Sequence, residues 1–246
     1  MLGGHSQHRI AKIFVTHSIN EACIYRVKFF INGLRTSILV DDYIPVNPNN
    51  DQPAFCRTKM DKQLFWAILI EKAWAKVNGS YFNILSQSLA FLAIHLTGVP
   101  ADSINHKNIK FFEGGCWTID KTKLDKSWQR ICAALGHTYT LISQAKHASE
   151  FDKNSGIIGE ACYELLDTQT LTVDGKKERL VLLRNNQNNE EWSYVFSRDC
   201  PSWSNSMRQQ MYGTLPPGHF YMELGDFLRY FERTCISMDS AKRSHY

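Results

Sequence analysis

The chain has 246 residues, of which 43% are hydrophobic and 21% charged, with a formal net charge of +4; these are the proportions of a soluble globular protein with room for one large domain or two small ones. The basic residues are spread along the chain rather than gathered into a block or stripe, which argues against nucleic-acid binding. No apolar run is long enough for a membrane span, and the opening "MLGGHSQHRIAKIF" lacks the apolar stretch of a secretory signal, so an intracellular, cytoplasmic or cytoskeleton-associated protein is expected.

The pattern predicts two strands at residues 22–31 and 36–40, joined by a turn at Asn32-Gly33. Pro45 limits further pairing, and residues 47–60 are loop-like. Asp61 is placed to cap a helix from Lys62 to Val77, stopped by Gly79. Trp66, Ile70, Ala73, Trp74 and Val77 share one face of it, and Phe65, Ile68 and Leu69 widen the apolar surface, as in a deeply buried helix. A second helix is expected from Ile84 to Leu96, ending at Thr97-Gly98, with Pro100 marking a domain boundary. Beyond it, a helix over 124–135 ends at Gly136, and strands follow at 138–142, 157–166 and 180–185. The last two are joined by "TVDGKK", where Asp174-Gly175 is a strong hairpin signal. The end reads as a strand, a short helix from about Leu224 and a final strand. Seven cysteines, at 23, 56, 116, 132, 162, 200 and 235, form no C-x-x-C pair and read as reduced, mostly buried thiols.

Five segments occur in the order "VDDYIPV" (40–46), "FWAILIEKAWAKVNGSY" (65–81), "LTGVP" (96–100), "LVLLRN" (180–185) and "FYMELGDFLRYF" (220–231). Together they resemble the calpain family of cysteine proteases, most closely the calpain-7-like branch, from about Arg9 to Ser237. The resemblance implies an α+β, papain-like protease core: a partial helical lobe over 1–98, an antiparallel β-barrel or sandwich lobe over 99–240, and a tail over 241–246. It also implies a Cys nucleophile at a helix N-terminus, a His base and an Asn that orients the His, because a thiolate needs an imidazolium and a positive helix end to form.

Each member of that triad can be sought here. The nucleophile helix would lie before Met1 and is expected to be absent from this chain. Cys23 reads as a core residue within the first strand; Cys116, in "GGCW" (114–117), mimics a nucleophile motif but is followed by "TIDKTK" rather than a long apolar helix. For the base there are two main candidates. His137, in "GHTYTL", matches the family's Gly-His-x-Tyr pattern. The hairpin at Asp174-Gly175, however, folds 161–165 opposite 184–188, and on that alignment Tyr163 meets the family's Tyr and Ala161 stands where the His belongs. Ala161 is preferred, with His137 and the loop residue His147 as the alternatives; an Ala has no proton to accept. Asn185 falls on the orienting Asn, but Asn186, Gln187 and Asn188 replace the Pro-Trp-Gly that shields it, while Trp192 matches a later family Trp. Without a His, Asn185 is expected to act as a loop amide capping backbone groups.

Calcium is the regulator implied by the resemblance. Glu190, Glu191 and Asp199 are loop carboxylates able to bind an ion, but read better as solvated surface charge, and no site is assigned. The expectation is therefore a non-catalytic calpain-like protein acting as a structural or adaptor subunit, with a protein partner covering Trp66, Trp74 or their neighbours on the helical lobe. The alternative is a calcium-dependent endopeptidase fragment whose Cys is supplied by an upstream segment or another chain.

Overall fold

The computed structural model describes residues 7–56, 65–85, 87–113, 116–150, 152–173 and 175–239. The expected Asp61 cap, the helix start at Lys62, Asp174 and the tail fall outside the described residues. The chain forms two compact units, Met1–Pro100 and Ala101–Tyr246.

In the first unit, helix α1 (Gln7–Ile13) precedes strands β1 (Ile24–Ile31) and β2 (Leu34–Asp41). Asn32 and Gly33 sit at φ 52° and 78° and close the hairpin with Ile31 opposite Leu34, the mirror-image turn that Asn-Gly favours. Tyr25, Val27 and Phe29 alternate inward along β1 and pack on helix α2 (Phe65–Val77), after the short paired strands β3 (Val46–Asn47) and β4 (Gln52–Pro53). Helix α2 buries Ile68, Leu69, Ile70, Ala73, Trp74 and Ala75, the broad apolar surface its sequence predicts. Trp74 lies against Phe29, and its Nε1 donates to Gln87 Oε1 at 2.6 Å.

The single helix expected from Ile84 to Leu96 is instead a one-turn 3-10 helix (Phe82–Ile84) followed by helix α3 (Leu89–Thr97). The Ser88 hydroxyl accepts from Phe91 N, so a new N-cap starts the helix there. Gly98 closes α3 in the left-handed conformation at φ 71°, and a Cβ there would meet the Phe30 ring at 2.6 Å. Cys23 is not inside a strand: it stands just before β1 with φ 53°, half-buried in a turn.

The second unit is built on one antiparallel sheet ordered β11-β10-β9-β8-β12-β5. Its members are β5 (Ala101–Asn105), β8 (Thr140–Ala145), β9 (Cys162–Val173), β10 (Lys176–Asn185), β11 (His219–Glu223) and β12 (Phe231–Ser237). Strands β6 (Lys110–Glu113) and β7 (Cys116–Ile119) form a separate hairpin. Helices α4 (Lys121–Gly136), α5 (Asn205–Tyr212) and α6 (Leu224–Tyr230) complete the unit. Among the described residues the sheet is open, with β11 and β5 at its edges, so the expected barrel is not closed. Helix α6 leaves edge strand β11, covers one sheet face with Phe227 and Leu228, and delivers β12 between β8 and β5.

Strand β10 explains its own composition. Val181 and Leu183 join Tyr163, Leu165, α4 and α6 on one face, whereas Leu180 and Leu182 join Phe196, Trp203, Met211 and Tyr212 on the other. A strand covered on both faces has no reason to alternate, hence the unbroken apolar run. Burial of these four aliphatic side chains, three of them fully buried, contributes roughly 1.5–3 kcal/mol each.

Candidate functional site

Ser143, Tyr163 and Asn185 lie abreast on β8, β9 and β10. A register shift at Leu182/Leu183 sets this alignment, so Asn185 faces Tyr163 rather than Glu164. Ala161 stands two residues ahead of Tyr163, just before β9, and its carbonyl accepts from Ala145 N at 2.9 Å. It is buried at 4% exposure within the core that also holds Trp192 and Tyr230. Glu160, at φ 60°, donates its N–H to Lys146 O and turns the chain into this strand. Tyr163 is fully buried; its hydroxyl accepts from Ile158 N at 2.8 Å, and burial pushes its pKa up to about 12.

Asn185 is itself buried, and its side chain serves its own turn. The carbonyl Oδ1 accepts from Gln187 N at 2.9 Å and Asn188 N at 3.2 Å. The amide Nδ2 donates to Asn188 Oδ1 at 2.6 Å and Glu190 O at 3.0 Å. This is an Asx-type turn, in which a side-chain amide replaces missing backbone partners. The following residues are polar and open: Asn186 and Gln187 are exposed, and Asn186 Oδ1 accepts from Arg184 Nε, whose guanidinium also pairs with Glu164.

The other candidates lie apart from Asn185. His137 caps the C-terminus of α4, its N–H donating to Ala133 O and its ring packing on Tyr139 at 5.4 Å. Because Ser143 is the β8 residue level with Asn185, the register leaves His137 beyond the far end of that strand. His147 is exposed at the near end of β8, with Nδ1 bonded to Ser149 Oγ at 2.8 Å. Cys116 lies in β7 opposite Glu113, and a helix does follow it: α4 starts at Lys121, with Asp120 accepting from Lys123 N as its cap.

Four of the described thiols are raised above the ordinary thiol range. A hydrogen bond to the Asp42 carboxylate raises the Cys23 pKa, and burial raises those of Cys56, Cys162 and, to about 11, Cys235. Cys200 is lowered: burial opposes this, but hydrogen bonds from Ser202 and the backbone, together with the Arg208 charge, outweigh it.

Among the described residues no group of three or more His, Cys, Asp or Glu side chains is gathered to hold a metal. Glu191 is not the solvated surface charge its sequence suggests. It is half-buried and binds Arg198, an arrangement missed in the sequence because the partners are set by chain path, not by spacing. Glu190 and Asp199 are exposed. In the first unit the apolar surface that remains open is not that of Trp74, which is 4% exposed, but of Ile19, Leu34, Tyr43, Phe82 and Leu85.

Among described residues no helix is long and apolar enough to cross a membrane. Comparison with known proteins agrees with the motifs. The chain is 29% identical over 231 residues to calpain-type cysteine protease DEK1 of Zea mays, covering 91% of this chain and 10% of that protein. It is 26% identical over 219 residues to human calpain-8 and 29% over 226 residues to human calpain-14, spanning 29% and 31% of their lengths. It therefore spans at most about a third of these curated relatives. The profile of the calpain family cysteine protease domain, Peptidase_C2, matches residues 4–238, nearly the whole sequence from α1 through β12, and on that match the chain belongs to the calpain family.

Proposed function

We propose that the chain is a non-catalytic calpain homologue of the calpain-7-like branch, acting as a structural or adaptor subunit of a larger intracellular assembly. The observation that carries this reading is the state of Asn185. Both ends of its amide are committed to residues of its own turn, and the place two residues ahead of its cross-strand neighbour is held by the buried methyl of Ala161. A triad Asn must keep its carbonyl for an imidazole, and no proton acceptor is available from Ala. The exposed Gln187 supplies no apolar cover for such a bond. The helical unit then serves binding, with Leu34, Tyr43 and Phe82 as the apolar side chains that a protein partner covers. In that role the isolated chain self-associates at micromolar concentration, and a monodisperse monomer by light scattering counts against it.

The second reading is a calcium-dependent cysteine endopeptidase fragment with its thiol supplied from outside residues 1–246, and the names of the relatives favour it. A casein cleavage assay with a thiol-directed probe, with and without calcium, separates the two. The adaptor reading expects no turnover under either condition. Cleavage that disappears in His137→Ala refutes it.

A further inference from the structure

The chain carries a cation cage that it fills with its own side chain. Arg198 donates from Nε to Glu191 Oε2 and from Nη2 to Glu191 Oε1, each at 3.0 Å. The rest of the guanidinium faces four backbone carbonyls: Tyr212 at 3.5 Å, Leu215 at 3.4 Å, Pro216 at 3.3 Å and His219 at 3.2 Å. Its carbon lies 4.9 Å from the Tyr212 ring centroid. Glu191 Oε1 also accepts from Gly218 N at 2.8 Å, and Gly218 holds φ 80°, where a Cβ would approach Asn188 O to 3.2 Å. One segment near residue 191 and another over 212–219 are thereby drawn onto a single positive group.

A bidentate carboxylate plus several backbone carbonyls is the donor set a hard divalent cation takes. Here that set does not fit calcium, because its oxygens already surround a planar cation that is always charged. The single negative charge of Glu191 is balanced by the single positive charge of Arg198, and Glu190 and Asp199 stand exposed to either side. A divalent ion at these oxygens must either displace the guanidinium or sit against it with like charge.

We propose that Arg198 is the resident cation of this cage: it orders the Glu191 segment against residues 212–219 without a metal, and keeps divalent cations out. The proposal stands whether or not the chain cuts peptides. Terbium luminescence tests it, with Trp192, the buried neighbour of Glu191, as the sensitiser. The intact chain gives no Trp-sensitised terbium emission, and millimolar calcium chloride leaves its Tm unchanged. Arg198→Ser lowers Tm by roughly 5 °C in chelator, gains terbium emission and recovers Tm with calcium. Saturable binding by the intact chain that Glu191→Gln weakens tenfold or more overturns the proposal. So does a folded Arg198→Ser chain that gains no emission. Should that variant fail to fold, Arg198→Lys keeps the charge without the fork: it melts below the intact chain and ignores calcium, and a calcium-stabilised Arg198→Lys chain overturns the proposal equally.

Discussion

The turn at Asn185 and the cage at Arg198 lie close in sequence and satisfy their polar groups in opposite ways. The side chain of Asn185 bonds to residues two to five positions along, while its backbone N–H donates to Gly218 O at 2.8 Å. Arg198 reaches partners 7 to 21 positions away. The first side-chain arrangement is local, an amide satisfying the groups of its own turn. The second ties separate segments together, and a change there is felt across the unit. In this protein the Asn185 side chain is held within its own turn, while the adjoining Arg198 is held by ties to distant segments.

That contrast can be broken by mutation. Glu191→Ala leaves a half-buried guanidinium facing only carbonyls and should cost about 2–4 kcal/mol in urea unfolding; a loss below that of Asn185→Ala breaks the comparison. Ala161→His forces a ring into a packed core position and should cost about 1–3 kcal/mol, without conferring cleavage; a neutral or stabilising effect would mean that the site still has room for an imidazole. Asn185→Ala removes hydrogen bonds within its turn and should cost about 1 kcal/mol, with NMR shift changes confined to residues near 185–190. Gln187→Trp, on an exposed position, should stay within about 0.5 kcal/mol.

A pH effect sharpens the picture between these extremes. The Tyr194 hydroxyl and Asn154 N donate to Asp152, holding its carboxylate below the ordinary range, while Tyr194 is pushed up to about 12 by the same bond. A lowered folded pKa makes this tie fully present above the unfolded carboxylate value and lost as pH falls through the lowered one. Acid unfolding of Asp152→Asn should therefore be less steep than that of the parent, and identical acid limbs refute the assignment.

Much of the architecture is legible in the sequence where one physical signal dominates. Asn32-Gly33 needs positive φ at both positions and closes its hairpin as expected. Helix α6 begins at Leu224 because Glu223 accepts from Gly225 N and Asp226 N. Misreadings cluster where polar residues carry the structure. Helix α4 starts at Lys121, earlier than residue 124, because its first turn has no apolar period and is set by the Asp120 cap. Helix α5 ("NSMRQQMY") and edge strand β5 ("ADSIN") are too polar for periodicity to reveal. The turn at Asn185 could be anticipated, since Asx turns are local; the Arg198 cage could not, since nothing in the spacing of its partners marks them as neighbours.

Strand β10 offers a different kind of readout. Between residues 180 and 183 it is paired on both edges and covered on both faces, with exposures from 0% to 7%. Its amide protons can reach solvent only when the unit unfolds as a whole, so their deuterium uptake measures global stability. The N–H groups of Gln187 and Asn188, held only by the Asn185 side chain, exchange through local opening. A few residues apart on one stretch of chain, deuterium thus records two clocks, and a ligand that settles on this turn would slow the second while leaving the ratio of the first to the unfolding rate unchanged.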